Sequence, residues 1–141
     1  MSDGDSLRSR IVALLDSGNI DGALELIDAA VAQAEPFERT GLRLMQGRLL
    51  LAVGDASAAL AAFAEALDSA IDPDQQGEAL LARAEAAESL GDIDAARADL
   101  EQARAAFENV HRRAGAEHLL GRIERDHGDL PAAIDLLGDA Y

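Results

Sequence analysis

Residues 50–63, LLAVGDASAALAAF, decide the fold. Before Gly54, the residues Leu44, Gly47, Leu50 and Leu51 recur at helical spacing, and after it Ala59, Leu60, Phe63, Ala66 and Leu67 do the same. Glycine closes a helix in the left-handed conformation without a Cβ penalty. The following Asp55 offers a carboxylate to the first free N–H groups of a new helix. One helix therefore stops and another starts within two or three residues, giving a tight antiparallel hairpin.

The same pattern occurs in LLDSGNIDGALELI (14–27), AESLGDIDAARADL (87–100) and ERDHGDLPAAIDLL (124–137). The glycines are Gly18, Gly54, Gly91 and Gly128, spaced by 36, 37 and 37 residues, each followed by Asn19, Asp55, Asp92 or Asp129. A fixed period of this size is the mark of a helical array. The hairpins are placed at 5–34, 38–70, 76–108 and 112–141, about eight helices in one domain spanning 1–141. Pro36 and the stretch IDPDQQ mark loops between the first three hairpins. Only Asn109 breaks the pattern before the fourth, which leaves open that the sixth helix runs further.

Composition agrees. The chain has 141 residues, 49% of them apolar, mostly Ala and Leu, with 3% aromatics and no Trp. Ala and Leu favour helix, and the residues that favour strands are scarce. The absence of Cys excludes a disulfide frame and a thiolate metal site. The opening MSDGDSLRSR has no apolar run of a secretory signal, and no stretch approaches the ~20 apolar residues of a membrane helix. A cytoplasmic protein is expected. The formal net charge of -15, with Arg supplying all twelve basic side chains, argues against a nucleic acid partner.

The repeats resemble the tetratricopeptide repeat family. The family's small residue on the first helix reads Ile11, Gly47, Ala84 and Gly121, and the position after the turn reads Ile20, Ala56, Ile93 and Leu130. The second helix then reads Ala23, Ala59, Ala96 and Ala133; Ile27, Phe63, Leu100 and Leu137; and Ala30, Ala66, Ala103 and Ala140. The chain departs from the family in its period, which is usually 34. It also has Leu7, Arg43, Leu80 and Glu117 where the family has an aromatic. The resemblance implies an all-α, right-handed superhelical solenoid of four repeats. Independently of it, Gly47 and Gly121 each cost about 1 kcal/mol inside a helix. Two glycines at one repeat position predict a neighbouring backbone passing close by.

No catalytic constellation emerges. Glu124 and His127 form a Glu-x-x-His step, but a di-iron bundle needs a second copy and more carboxylates. The segment from Asp72 to Gly77 begins like a calcium loop, yet Arg83 stands where its bidentate Glu should be. Without Lys there is no phosphate-binding P-loop, and no Ser has evident His and acid partners. Neither an enzyme nor a cofactor or metal site is expected.

In the family the first helices line a concave groove and the second helices face outward. On that assignment the outer helices carry fourteen acids against Arg97 and Arg104, while the inner helices carry ten Arg and nine acids. The family's groove positions fall on Arg8, Val12 and Leu15; Leu44, Arg48 and Leu51; Leu81, Glu85 and Glu88; and His118, Arg122 and Arg125. Arg offers a fork that grips carboxylates. Arg48, Arg122 and Arg125 are therefore expected to hold acidic or C-terminal groups of a partner peptide or helix, over an apolar floor of Leu44, Leu51 and Leu81. The alternative is that these arginines only neutralise Glu85, Glu88 and Asp126.

The sequence ends at Tyr141 inside the last outer helix. Solenoids usually carry a polar cap, so Leu136, Leu137 and Tyr141 are expected to be partly exposed, either because the chain is part of a longer protein or because that end meets another copy or partner. The leading expectation is a scaffold that binds a protein segment. The rivals are a ligand-sensing regulatory domain of a bacterial signalling system and a self-assembling structural module.

Overall fold

A computed structural model of the chain describes residues 3–127. They form seven α-helices: α1 (Asp3–Asp16), α2 (Ile20–Gln33), α3 (Pro36–Ala52), α4 (Ala56–Ser69), α5 (Pro73–Ser89), α6 (Ile93–Ala106) and α7 (Val110–His127). No strand occurs among the described residues. Three hairpins, α1–α2, α3–α4 and α5–α6, are followed by α7 as the first helix of a fourth. The turn expected at Gly128 and the second helix expected after it, with Leu136, Leu137 and Tyr141, lie outside the described residues.

The Gly-Asp/Asn turns are built alike. Gly18, Gly54 and Gly91 have φ of 80°, 86° and 81°. At each, two N–H groups reach back to the carbonyls of the helix they close. Gly18 N donates to Leu15 O at 3.0 Å and Asn19 N to Leu14 O at 2.8 Å; the bonds of Gly54 and Asp55 to Leu51 and Leu50, and of Gly91 and Asp92 to Glu88 and Ala87, repeat the pattern. The side chains of Asn19, Asp55 and Asp92 then accept from Gly22 N, Ala58 N and Ala95 N at 2.9, 3.1 and 3.2 Å.

The inter-repeat boundaries differ from the sequence expectation. Helices α3, α5 and α7 begin at 36, 73 and 110 rather than 38, 76 and 112. Pro36 and Pro73 stand at the helix starts and not in the loops before them, because proline lacks an N–H that the first turn cannot use. Helix α6 stops at Ala106 and does not run on. Asn109 is the reason a new helix starts: its side chain accepts from His111 N and Arg112 N at 3.0 and 3.1 Å.

The core follows the repeat. Ala23, Ala59, Ala96, Ala66 and Ala103 are fully buried, around Ile27, Phe63 and Leu100. These small side chains let the second helices approach closely. The close neighbour of Gly47 is the ring of Phe63 rather than a backbone, since a Cβ there would strike three ring carbons. One repeat boundary later, a Cβ on Gly77 would come within 2.6 Å of the Phe107 ring.

Candidate concave interface

Three first helices supply one cleft. Arg48 from α3, Glu78, Leu81, Ala82 and Glu85 from α5, and Arg112 and Gly115 from α7 surround about 260 Å³, with Phe107 from the loop before α7. Glu78, Leu81, Glu85 and Glu88 follow the 3-4-3 spacing of a single helical stripe. Opposite signs face one another across it. Glu78 accepts from Arg48 at one oxygen and from Arg112 at the other, both at 3.3 Å. These three side chains are 37–58% exposed, so the pairs are solvated, long and individually worth about 0–1 kcal/mol.

A second group lies one turn further along. Arg122 Nη2 donates to Glu88 Oε1 at 2.8 Å, and its Nη1 lies 3.8 Å from Asp126. The hydrogen bond to Glu88 raises the Arg122 pKa despite partial desolvation. Arg125 sits 3.5 Å from Asp126, and His127 Nε2 stands 3.8 Å from Glu88 Oε2. Glu85 lies between the two groups. Water lost to the cleft walls pushes its carboxyl pKa up; Arg48 opposes that shift, Glu88 adds to it and Arg122 opposes it.

The expected groove residues separate accordingly. Arg48, Leu81 and Glu85 line the cleft, while Glu88 and Arg122 form the neighbouring pair. Leu44 is a correction: at 4% exposure it packs with Ala59 and Phe63 in the core and offers no floor to a partner. Half-buried Leu51 leans on the same cluster. Arg8 borders a separate cleft between α1 and α3, with Leu7, Ile11, Glu38, Leu42 and Met45. Val12 is exposed and Leu15 half-buried. His118 and Arg125 are exposed and do not line the cleft. Glu78 and Arg112 are cleft residues that sequence reasoning missed; extending the α5 stripe back one turn from Leu81 reaches Glu78.

The residues weighed for metal binding have structural partners. Asp72 caps α5 by accepting from Gln75 N at 2.7 Å, and Asp74 accepts from Glu108 N and Asn109 N at 2.9 and 3.2 Å. Buried Glu124 is bonded by Arg97, whereas His127 faces Glu88. Among the described residues no three His, Cys, Asp or Glu side chains are grouped to hold a metal ion, and no helix is long and apolar enough to cross a membrane.

A sequence profile described as tetratricopeptide repeat matches residues 44–110 and 81–141. No curated protein matches the chain. Among solved structures, MamA is 23% identical, with a TM-score of 0.69 over 96% of this chain and 71% of that one. A putative kinesin light chain from Podosopora anserina with nearly identical TPR-like repeats is 19% identical, with a TM-score of 0.73 over 94% and 71%. PcrH, in complex with the chaperone binding region of PopD, is 20% identical, with a TM-score of 0.67 over 89% and 95%. At these identities the likeness is one of fold, a solenoid of helical hairpins.

Proposed function

Because the chain belongs to the tetratricopeptide repeat family, we propose that it is a protein-interaction scaffold that receives a peptide or helix of a partner along α3, α5 and α7. The observation that carries this reading is the pair of arginines sharing one carboxylate. Arg48 and Arg112 come from different repeats and meet on Glu78 across an open cleft. An incoming carboxylate that takes the place of Glu78 exchanges weak, solvated pairs for a two-arginine clamp. Half-buried Leu81 lies beneath to meet an apolar side chain. A structural neighbour holding a segment of another protein, PcrH with PopD, supports occupation by a protein segment.

Arg122 has a lesser part here than the sequence expectation gave it, since its fork is already closed on Glu88 at 2.8 Å. The test is affinity capture with three baits in parallel: the parent, Arg48→Ala/Arg112→Ala, and Arg122→Ala. A protein retained by the parent and by Arg122→Ala, lost from the double variant, and crosslinked to Leu81 or Glu85 supports the clamp. Retention by all three baits would remove it. Recovery of only further copies of this chain would favour self-assembly instead.

A further inference from the structure

The opposite side of the repeat array carries a second furrow that the concave reading does not use. Helices α4 and α6 both pack on α5, and about 490 Å³ lies between them. Its walls are small: Ser57, Ala61 and Ala64 on α4, and Ala95 and Ala98 on α6. Leu60 and buried Ala87 form its floor, and Leu90, 47% exposed, stands at one end. The lining is mainly apolar.

The equivalent gap one repeat earlier is bridged by charged side chains. There Arg43 reaches both ways, to Asp28 on α2 and to Glu65 on α4, each at 2.8 Å, with Gln46 also donating to Asp28 at 3.0 Å. The residue one period after Arg43 is Leu80, which is buried and bridges nothing. Arg83, the only basic side chain among the described residues lining the α4–α6 furrow, puts Nε and Nη2 on the two oxygens of Asp99, each at 2.8 Å. Its charge is thereby spent inside the array.

We propose that the α4–α6 furrow is a second docking surface, and that its occupant is one amphipathic helix of a basic partner protein. The furrow's floor and walls offer apolar contact to residues at i, i+3, i+4 and i+7 of such a helix, and the alanines admit its backbone closely. Charge selects the partner. Exposed Asp92 lines the furrow, and Asp68, also exposed, lies near enough to Arg83 to help raise its pKa. The whole chain carries -15, so a second copy would bring acid against acid. A small molecule finds little to orient it, because Arg83 and Asp99 bond each other.

The probe is a labelled synthetic helix of about five turns, ~18 residues, with Leu at i, i+3, i+4 and i+7 and Lys elsewhere, titrated with the full chain. Ala61→Leu/Ala98→Leu fills the furrow from two exposed positions without altering charge; Ala13→Leu/Ala32→Leu adds the same bulk to exposed positions elsewhere. The expected results are a tenfold or greater loss of affinity for the filled variant, none for the control, and none for Arg48→Ala/Arg112→Ala. Asp68→Asn/Asp92→Asn, which keeps an oxygen to accept from Ala95 N, should weaken binding several-fold and flatten its salt dependence. Equal affinity for parent and filled variant would overturn the proposal, as would loss of binding in the concave variant alone. So would a concentration-dependent doubling of mass that filling abolishes, which would make the occupant a second copy. The concave reading stands or falls separately, on the Arg48 and Arg112 baits.

Discussion

A β-carbon placed on Gly47 would stand 2.6 Å from Cδ1 and 2.7 Å from Cζ of Phe63, a ring with no exposed surface. The glycine is the space that lets α3 and α4 close on each other. Gly41 occupies the same helix with nothing within 4 Å of its own missing Cβ. Opposite results follow from one chemical change. Gly41→Ala gains helix propensity of about 1 kcal/mol, raising the melting temperature by about 2–4 °C. Gly47→Ala gains the same propensity but incurs overpacking of ~1–3 kcal/mol, so its melting temperature falls. Thermal melts of the two variants beside the parent decide it; a rise in both would mean that the Phe63 ring gives way.

What was legible in the sequence was local. Gly54 and Asp55 announce their turn because the left-handed φ and the side-chain cap depend only on residues next to them. The position of Leu44 was not legible, because residues 44, 47 and 51 share a stripe with both the core and the groove, and one residue of rotation separates the two. Arg48, the next residue after Gly47, is the one that emerges. The meeting of Arg48 with Arg112 on Glu78 depends on how three helices stack, and no local pattern encodes that distance. Phe107 was missed for a similar reason: it stands outside the helical stripes, in the loop after α6, yet its ring is buried against Gly77.

The Arg83–Asp99 pair predicts an asymmetric response. The Asp99 side chain is 9% exposed and that of Arg83 is 27% exposed. The Arg83 pKa is raised, first by its hydrogen bond to Asp99, with Asp68 contributing at longer range. Arg83→Met strands a carboxylate away from water and should cost ~3 kcal/mol, the low end for breaking a buried pair. Asp99→Ala leaves a guanidinium that still reaches solvent and Asp68, and should cost ~1–2 kcal/mol. Urea denaturation at neutral pH measures both. If Asp99→Ala proved the more damaging, Arg83 rather than Asp99 would be the poorly solvated partner.

Glu85 gives a pH signature. Its folded-state pKa lies above the ordinary 4.5, chiefly through desolvation in the cleft. A carboxyl whose pKa rises on folding favours the folded state when protonated. That contribution is full below the ordinary value and is lost as pH rises through the raised one. Glu85→Gln should therefore melt higher than the parent at pH 7, and the difference should close as pH falls below 4.5. Glu85→Gln melting lower than the parent at pH 7 would reverse the sign and show that Arg48 and Arg122 outweigh desolvation.

Asp74 ties the third repeat to the fourth. Its Oδ1 accepts from the backbone N–H of Glu108 at 2.9 Å and of Asn109 at 3.2 Å, more than thirty residues on. This carboxylate holds the loop from which Asn109 caps α7, and the same loop seats Phe107 against Gly77. Asp74→Ala removes two charge-assisted bonds at a site partly open to water, where solvent recovers some of the loss, so ~1–2 kcal/mol is expected. Asp74→Asn keeps an oxygen acceptor there without its charge and should lose less. Amide hydrogen exchange locates the effect: the Glu108 and Asn109 protons should exchange faster in Asp74→Ala while those of Ala58 and Ala95, held by their own caps, do not. Faster exchange throughout α4 and α6 would instead mean that the loop governs the whole array rather than one junction.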